Sequence, residues 1–390
     1  MTMKYDFTSI VDRSSDGSDK WAAMKRIRPD VPAGIVPLSV ADMEFPNPPQ
    51  ITEGLREFLR GRVLGYTGPT DAYYESVIRW MQRRHGFTPA RESFVLSPGV
   101  VPVLDRMAAA FTRPGERVLL LTPVYYPFFR AAEKSGREWV SSPLVPAGRS
   151  YEIDFADFEE KARDPRVTLC ILSSPHNPVG KVFTQEELRR LADICLDNGV
   201  FVICDEIHSD IILPGYTHVS MASLGEKYLN NCAVCTAPSK TFNLAGLQVS
   251  NTFVHDPARR EKLAENSSYS SLNIFAYEAC RLAYDLCEDW LEEFLQVIDG
   301  NRRLLEEFCT ARLPGVKVCE LQGTYLAWVD FRCLGLTPAE LEKLMTEKAL
   351  LFLDEGYIFG REGEGFERIN LACPRSTLEA ALERLAAAIG

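Results

Sequence analysis

The sequence lacks long apolar runs and long basic runs. No apolar run reaches the roughly 18 residues of a membrane-spanning helix, and the first seven residues contain no apolar signal-peptide core. Lys and Arg number 43 against 54 Asp and Glu, so the net charge is −11. That charge makes nucleic acids and anionic membranes poor partners. We therefore expect a soluble, cytoplasmic protein that binds neither nucleic acid nor membrane.

A second Cys-x-x-C motif, which would complete a zinc site, is also missing. Cys232 and Cys235 form such a motif alone. Because residues three apart in a strand point to opposite faces, these thiols are poorly placed to chelate or bridge. The eleven cysteines are scattered, several within apolar runs, as expected for small buried residues in a reducing compartment. We expect no metal site.

The chain is long enough for two domains. It has 390 residues, of which 46% are hydrophobic. A long amphipathic helical pattern from Ala276 to about Cys309 leads from the first domain into the second. We predict a large domain over residues 49–285. An N-terminal arm, residues 1–48, and a small C-terminal domain, residues 286–390, complete the chain.

Strand and helix patterns alternate in the predicted large domain. Apolar runs at 167–172 and 200–204 flank a helix whose start, Thr184 to Glu187, has capping-box spacing. A strand, a capped helix and a strand predict a right-handed parallel unit. Repeats of this unit predict an α/β fold with a doubly wound, mostly parallel sheet and a ligand at the carboxyl ends of its strands.

The C-terminal part mixes strands with capped helices. Residues 324–330 and 366–372 have strand patterns, and residues 378–389 have a helical one. Thr337 to Glu340 has capping-box spacing with proline at the first helical position. These patterns predict a smaller α+β domain.

Three polar residues follow apolar, strand-like runs. Asn177 and Asp205 follow the runs named above, and Lys240 lies in a predicted loop after the apolar run 232–236. A lone loop lysine is most often a solvated surface charge. Buried parallel strands, however, present such residues together at their carboxyl ends. The three residues therefore indicate one site.

In this order, the three residues resemble the pyridoxal-phosphate site of fold-type I, aspartate-aminotransferase-like enzymes. The resemblance covers nearly the whole chain. It is most specific for the MalY/PatB branch, the cystathionine or cysteine-S-conjugate β-lyases. It is carried by the joint order and spacing of VADM at 40–43, SPGVV at 97–101, TPVYYP at 122–127, SPHNPVG at 174–180, DEIHSD at 205–210, SKTFNLAG at 239–246 and RINLACPR at 368–375.

The resemblance implies a role for each matching residue around the cofactor. Lys240 matches the Schiff-base lysine, Asp205 the partner of the pyridine nitrogen and Asn177 the donor to the phenolic oxygen. Tyr125 matches the aromatic ring that stacks on the cofactor, and His208 lies where a tyrosine near that oxygen is common. Core packing for Tyr125 and a neutral structural role for His208 are the alternatives.

The sequence departs from the family pattern at residues expected to bind the cofactor phosphate. The glycine before Val100 and Val101 marks a helix start whose backbone N–H groups suit an anion. Gln248 replaces an arginine found eight residues after the lysine in many aminotransferases, and Ala237 replaces a serine three residues before it.

Phosphate binding must therefore depend more on backbone amides, Ser239 and Tyr66. Tyr66 matches a tyrosine that reaches the phosphate from the neighbouring subunit, so the resemblance implies a homodimer with shared active sites. Arg368 matches the arginine that binds the substrate α-carboxylate, a task suited to its planar fork. Arg375 is the competing candidate.

Three functions follow from the resemblance. The first is a β-lyase that converts L-cystathionine or another L-cysteine S-conjugate to a thiol, pyruvate and ammonia. The second is an aminotransferase, because fold alone does not choose the reaction. The third is a non-catalytic regulatory protein. Retention of Lys240, Asp205 and Asn177 argues against the third, and the narrow motif match favours the lyase.

Overall fold

The computed structural model describes residues 3–265 and 272–390, and its strands form a large and a small sheet. The large sheet has the order β1-β8-β7-β6-β5-β2-β3-β4. Its strands are β1 (Phe94–Ser97), β2 (Arg117–Thr122), β3 (Glu138–Ala147), β4 (Ser150–Ile153), β5 (Val167–Ser173), β6 (Phe201–Asp205), β7 (Cys232–Thr236) and β8 (Ser250–Val254). The small sheet has the order β11-β12-β10-β9, with β9 (Lys317–Val318), β10 (Leu326–Asp330), β11 (Asp354–Glu355) and β12 (Phe366–Asn370).

Helices pack against both faces of the large sheet. In chain order they are α1 (Asp19–Ile27), α2 (Pro49–Leu59), α3 (Asp71–His85), α4 (Val100–Phe111), α5 (Pro127–Lys134), α6 (Phe155–Ala162), α7 (Gln185–Asp197), α8 (Glu226–Leu229), α9 (Pro238–Thr241), α10 (Pro257–Glu265), α11 (Ile274–Leu286), α12 (Glu288–Arg312), α13 (Pro338–Lys343) and α14 (Arg375–Ile389). A π-helical turn, Leu344–Ala349, extends α13.

The centre of the large sheet is parallel, as predicted. Strands β7, β6, β5, β2 and β3 run in one direction, whereas β8, between β1 and β7, runs against both neighbours. Alternate residues of β5 pack into two cores on opposite faces, Cys170 and Leu172 in one, Leu169 and Ile171 in the other. The α/β fold class with a doubly wound, mostly parallel sheet is thus confirmed.

The capping signals in the sequence place two helix starts correctly. The Thr184 side chain accepts from Glu187 N and the Glu187 carboxylate accepts from Thr184 N, so both ends of the capping box are made at α7. Thr337 and Glu340 make the same pair of bonds at α13. Each box satisfies N–H groups that the first helical turn leaves without a partner.

The long helical pattern after Ala276 is two helices. Helix α11 ends at Leu286 and α12 begins at Glu288, with Cys287 between them in a non-helical conformation. Both helices contribute to the core shared with the small sheet. The break lies beside the predicted domain boundary at residue 285. The domain limits themselves stay a prediction.

The thiols of the Cys-x-x-C motif lie on opposite faces of the large sheet. Cys232 packs in one core cluster and Cys235 in the other, as the strand geometry predicts. Both are free. Over residues 3–265 and 272–390, no cluster of three or more His, Cys, Asp or Glu is arranged to hold a metal ion. Over the same residues, no helix has the length and apolar character needed to cross a bilayer.

Candidate active site

A cavity of about 200 Å³ lies where the parallel strands of the large sheet end. This position is the usual ligand site of a doubly wound sheet. Nine of the residues that the sequence analysis singled out line it together: Val100, Val101, Tyr125, Asn177, Asp205, His208, Ser239, Lys240 and Arg368. Residues up to 268 positions apart in the sequence are therefore neighbours in space.

Lys240 lies in a short helix, α9, and not in a loop as the sequence predicted. Strand β7 leads directly into α9, with Pro238 at its first position, where a missing N–H costs nothing. Lys240 Nζ donates to the Ala41 carbonyl oxygen over 2.7 Å. Burial lowers the pKa of Lys240 to about 8, against the opposing charge of Asp42. An amine with this pKa is partly neutral near pH 8 and can act as a nucleophile or a base.

Asp205 is a buried carboxylate at the end of β6. Its Oδ1 accepts from Ile207 N over 3.1 Å, and its own carbonyl oxygen accepts from Ser174 N over 2.9 Å. Burial raises the pKa of Asp205 to about 7, although the bond from Ile207 and the charge of Lys240 act in the opposite direction. A carboxylate so buried favours a cationic partner in the cavity.

Arg368 is held by two neighbouring side chains. It lies on β12 with its side chain only 2% exposed. Its Nη1 donates to Asn177 Oδ1 over 2.8 Å and its Nη2 donates to Asp354 Oδ2 over 2.6 Å. The competing Arg375 is exposed at the start of α14 and pairs with Glu379. The structure therefore places Arg368, rather than Arg375, in the cavity.

Asn177, His208 and Tyr125 complete the polar wall. Because the Asn177 Oδ1 accepts from Arg368, its amide nitrogen is the group that can donate to a ligand. Burial holds the pKa of His208 well below its usual range, reinforced by the charges of Lys240 and Arg368, so this imidazole is neutral. Burial likewise raises the pKa of the Tyr125 hydroxyl, which stays protonated.

Helix α4 begins at the cavity wall, where its first two residues, Val100 and Val101, line the cavity. The backbone N–H groups of a first helical turn have no partner within the helix and attract anions. Ser239 and Gln248 also line this cavity, whereas Ala237 does not appear in its wall. Gln248 brings an amide in place of a positive charge, so phosphate binding would rest on neutral donors.

The cavity therefore fits pyridoxal phosphate. It combines an amine of lowered pKa in Lys240, the buried carboxyl group of Asp205, and the start of α4, whose backbone N–H groups suit an anion. Lys240 could bind the aldehyde carbon, Asp205 the protonated ring nitrogen and the amides of Val100 and Val101 the phosphate.

Tyr66 is the one assigned residue that lies elsewhere. Its side chain is 97% exposed and it does not line the cavity of its own chain. It follows the exposed apolar residues Val63 and Leu64 in the segment between α2 and α3. Within its own chain, Tyr66 therefore takes no part in the cavity wall.

Asp354 is a cavity residue that the sequence analysis missed. It begins β11 after the apolar run Leu351, Phe352 and Leu353. That run ends in polar residues, the same signal that identified Asp205, and would have revealed Asp354 as well. Val40 lies at the same wall and is bound to Asp354 Oδ2 through its backbone N over 2.8 Å. Its φ of 55° is unusual for a β-branched residue.

The fold and the cavity together define a fold-type I pyridoxal-phosphate enzyme. Residues 33–385 match the family model "Aminotransferase class I and II". The chain belongs to this family and, within it, to the MalY/PatB branch indicated by the sequence motifs.

Named relatives support the branch. Cystathionine beta-lyase PatB of Bacillus subtilis is 42% identical over 91% of this chain and 92% of its own. Cystathionine beta-lyase of Corynebacterium glutamicum is 32% identical over 92% of this chain and 95% of its own. The structure of pyridoxal-phosphate-containing cystalysin from Treponema denticola superposes with a TM-score of 0.97 at 42% identity, covering 99% of both chains.

Proposed function

We propose that this chain is a pyridoxal-phosphate-dependent carbon–sulfur β-lyase. It acts on L-cystathionine or another L-cysteine thioether and produces a thiol, pyruvate and ammonia by α,β-elimination. The single observation that carries the proposal is the convergence of Lys240, Asp205 and Arg368 on one cavity. Relatives of the same branch that are named cystathionine beta-lyases support the choice of reaction.

Pyridoxal phosphate, when bound, withdraws the electrons left on the substrate Cα after a proton is removed. Arg368 binds the α-carboxylate and fixes the orientation of Cα, because a guanidinium held by Asn177 and Asp354 has little freedom to turn. The Lys240 amine then removes the Cα proton as a general base. Its lowered pKa keeps a substantial neutral fraction available near pH 8.

Breakage of the bond between Cβ and sulfur completes the elimination. The electron pair from Cα forms the new bond to Cβ, and the sulfur leaves as a thiolate. Protonated Lys240, which lines the cavity, can give its proton to the departing thiolate. The remaining aminoacrylate, once released, takes up water and yields pyruvate and ammonia. An aminotransferase would use the same residues to return the proton to the cofactor, so the reaction must be decided by its products.

We expect the purified enzyme to release pyruvate, ammonia and a free thiol from L-cystathionine without an added keto acid. The measurement is continuous detection of thiol, with pyruvate assayed in the same samples. The two products should form in equal amounts. Turnover that requires a keto acid and consumes it in proportion to the amino donor would instead identify an aminotransferase. A protein with no visible absorbance and no turnover would support the regulatory alternative.

We also propose a homodimer in which Tyr66 of each subunit reaches the phosphate site of the other. Support comes from the exposed apolar residues Val63 and Leu64 and from the absence of Tyr66 from the wall of its own cavity. Burying these side chains against a second copy would remove apolar surface from water. The cytoplasmic location expected from the sequence stays a prediction.

Mixed dimers of Tyr66→Ala and Lys240→Ala subunits should regain activity that neither parent has. One of the two sites would then contain both native residues, so we expect about half of the wild-type rate. Differently tagged subunits allow the mixed dimer to be isolated and its turnover measured. Mixed dimers that are as inactive as their parents would contradict shared sites, and a monomer by light scattering would contradict the dimer as well.

A further inference from the structure

Asp354 brings a negative charge into the cavity beside the arginine assigned to the substrate carboxylate. Its Oδ2 lies 2.6 Å from Arg368 Nη2. The Asp354 side chain is 14% exposed whereas that of Arg368 is 2% exposed. Because Asp354 also lines the cavity, its carboxylate is accessible to a bound molecule.

Two of the charged residues that line the cavity, Asp354 and Arg368, are not assigned to the cofactor or to proton transfer. Of the lining residues that the structure describes, Asp205 and Asp354 bring carboxyl groups, Lys240 brings an amine and Arg368 brings a guanidinium. Lys240 and Asp205 are assigned to the cofactor, so Asp354 and Arg368 face the substrate. Their charges sum to zero. Once the α-carboxylate is bound, this part of the site has a net charge of −1.

The substituent on the substrate sulfur lies close to this negative charge. In a cysteine thioether, sulfur is attached to Cβ, and Cβ is attached to the carbon that bears the α-carboxylate. The sulfur substituent of a bound substrate therefore begins a few bonds from the carboxylate that Arg368 would bind, and Asp354 is the ion-pair partner of Arg368. A charge at that distance in a partly enclosed site changes binding measurably, and a like charge disfavours it.

We propose that Asp354 is a specificity-determining residue that selects against anionic sulfur substituents and favours neutral or cationic ones. The inference rests on the proposed β-lyase function. The preferred substrates are then L-cysteine thioethers whose leaving thiol has a net charge of zero or above. Selection of this kind uses repulsion of the wrong substrate as well as attraction of the right one.

The test compares two substrates that differ in charge and hardly in shape, S-carboxymethyl-L-cysteine and S-carbamoylmethyl-L-cysteine. For each, kcat/KM is measured by pyruvate release. We expect the wild-type enzyme to prefer the neutral amide by about tenfold or more. Asp354→Asn should reduce that preference by about tenfold, equivalent to about 1.4 kcal/mol. The ratio cancels any general effect of the variant on Arg368, because both substrates have the same α-carboxylate.

A second pair of substrates replaces the anionic sulfur substituent with a cationic one. In Asp354→Asn, kcat/KM for S-(2-aminoethyl)-L-cysteine should fall relative to kcat/KM for S-propyl-L-cysteine, because the ammonium group loses its carboxylate partner. Asp330→Asn is the matched control, since Asp330 ends β10 of the small sheet, is also 14% exposed and pairs with an arginine, Arg332. Asp330 does not line the cavity, so both ratios should stay at their wild-type values.

The possible outcomes separate this proposal from the lyase function. Pyruvate release with charge ratios that are the same in wild type and Asp354→Asn would overturn the role of Asp354 and leave the lyase function intact. Failure of the wild-type enzyme to release pyruvate from any thioether would overturn both. If Asp354→Asn does not fold, the wild-type ratio still decides, because equal use of the acid and the amide contradicts the proposal.

Discussion

Lys240→Ala is expected to abolish turnover and covalent attachment of the cofactor. The variant loses the amine that binds the aldehyde carbon and the base that removes the Cα proton, so kcat should fall by about a thousandfold or more. The fold should survive. Truncation removes one hydrogen bond, to the Ala41 carbonyl, while the bond from Thr241 to Asp210 still anchors the turn.

Borohydride reduction followed by peptide mass spectrometry measures the attachment directly. Wild-type protein should carry the reduced cofactor on the peptide that contains Lys240. Lys181→Ala is a suitable control, because Lys181 is a largely buried lysine that pairs with Glu187 and does not line the cavity. It should keep the adduct and the activity. An adduct that persists in Lys240→Ala would show that another lysine holds the cofactor.

Asp205→Asn is expected to lower kcat by about a hundredfold or more, equivalent to about 2.7 kcal/mol of transition-state stabilisation. Asparagine has nearly the same shape, and its side-chain oxygen can still accept from Ile207 N. The variant removes the negative charge that favours a protonated ring nitrogen. A carboxylate about 4 Å from such a cation contributes on the order of 4 kcal/mol at an effective dielectric near 20, so the expected loss is of the right size.

The rate must be measured on variant protein that is saturated with pyridoxal phosphate, so that weaker cofactor binding is not mistaken for slower chemistry. Asp193→Asn provides a control, because Asp193 is an exposed carboxylate on α7 paired with Lys227. It should leave kcat unchanged. Near-normal turnover of folded, cofactor-loaded Asp205→Asn would remove Asp205 from the proposed electron-withdrawing arrangement.

Local signals in the sequence predict most of the elements that carry the site. The runs before Asn177 and Asp205 are strands because they are short, apolar and followed by polar residues. The capping boxes at Thr184 and Thr337 locate helix starts because they satisfy backbone groups within four residues. Such features depend on neighbouring residues alone, so a single sequence contains the information needed.

Contacts between distant segments escape this kind of reasoning. Sequence pattern does not reveal that the Ala41 carbonyl accepts from Lys240, or that the backbone of Val40 binds Asp354. The reversed direction of β8 and the break at Cys287 likewise depend on tertiary packing. The apolar run before Asp354 marks that residue in the sequence, but only the pairing of β11 with β12 shows that Asp354 lies opposite Arg368.

The burial of the cysteines has a consequence for an enzyme whose product is a thiol. Released thiols oxidise to disulfides, which exchange with protein cysteines only through the thiolate form. Nine of the eleven cysteines are buried, and burial raises the pKa of Cys232, Cys280 and Cys373 to about 12. Mixed disulfides should therefore form mainly at the exposed Cys333, which does not line the cavity. We therefore expect disulfides of the product thiol to leave the cavity residues unmodified, since none of the residues that line the cavity is a cysteine.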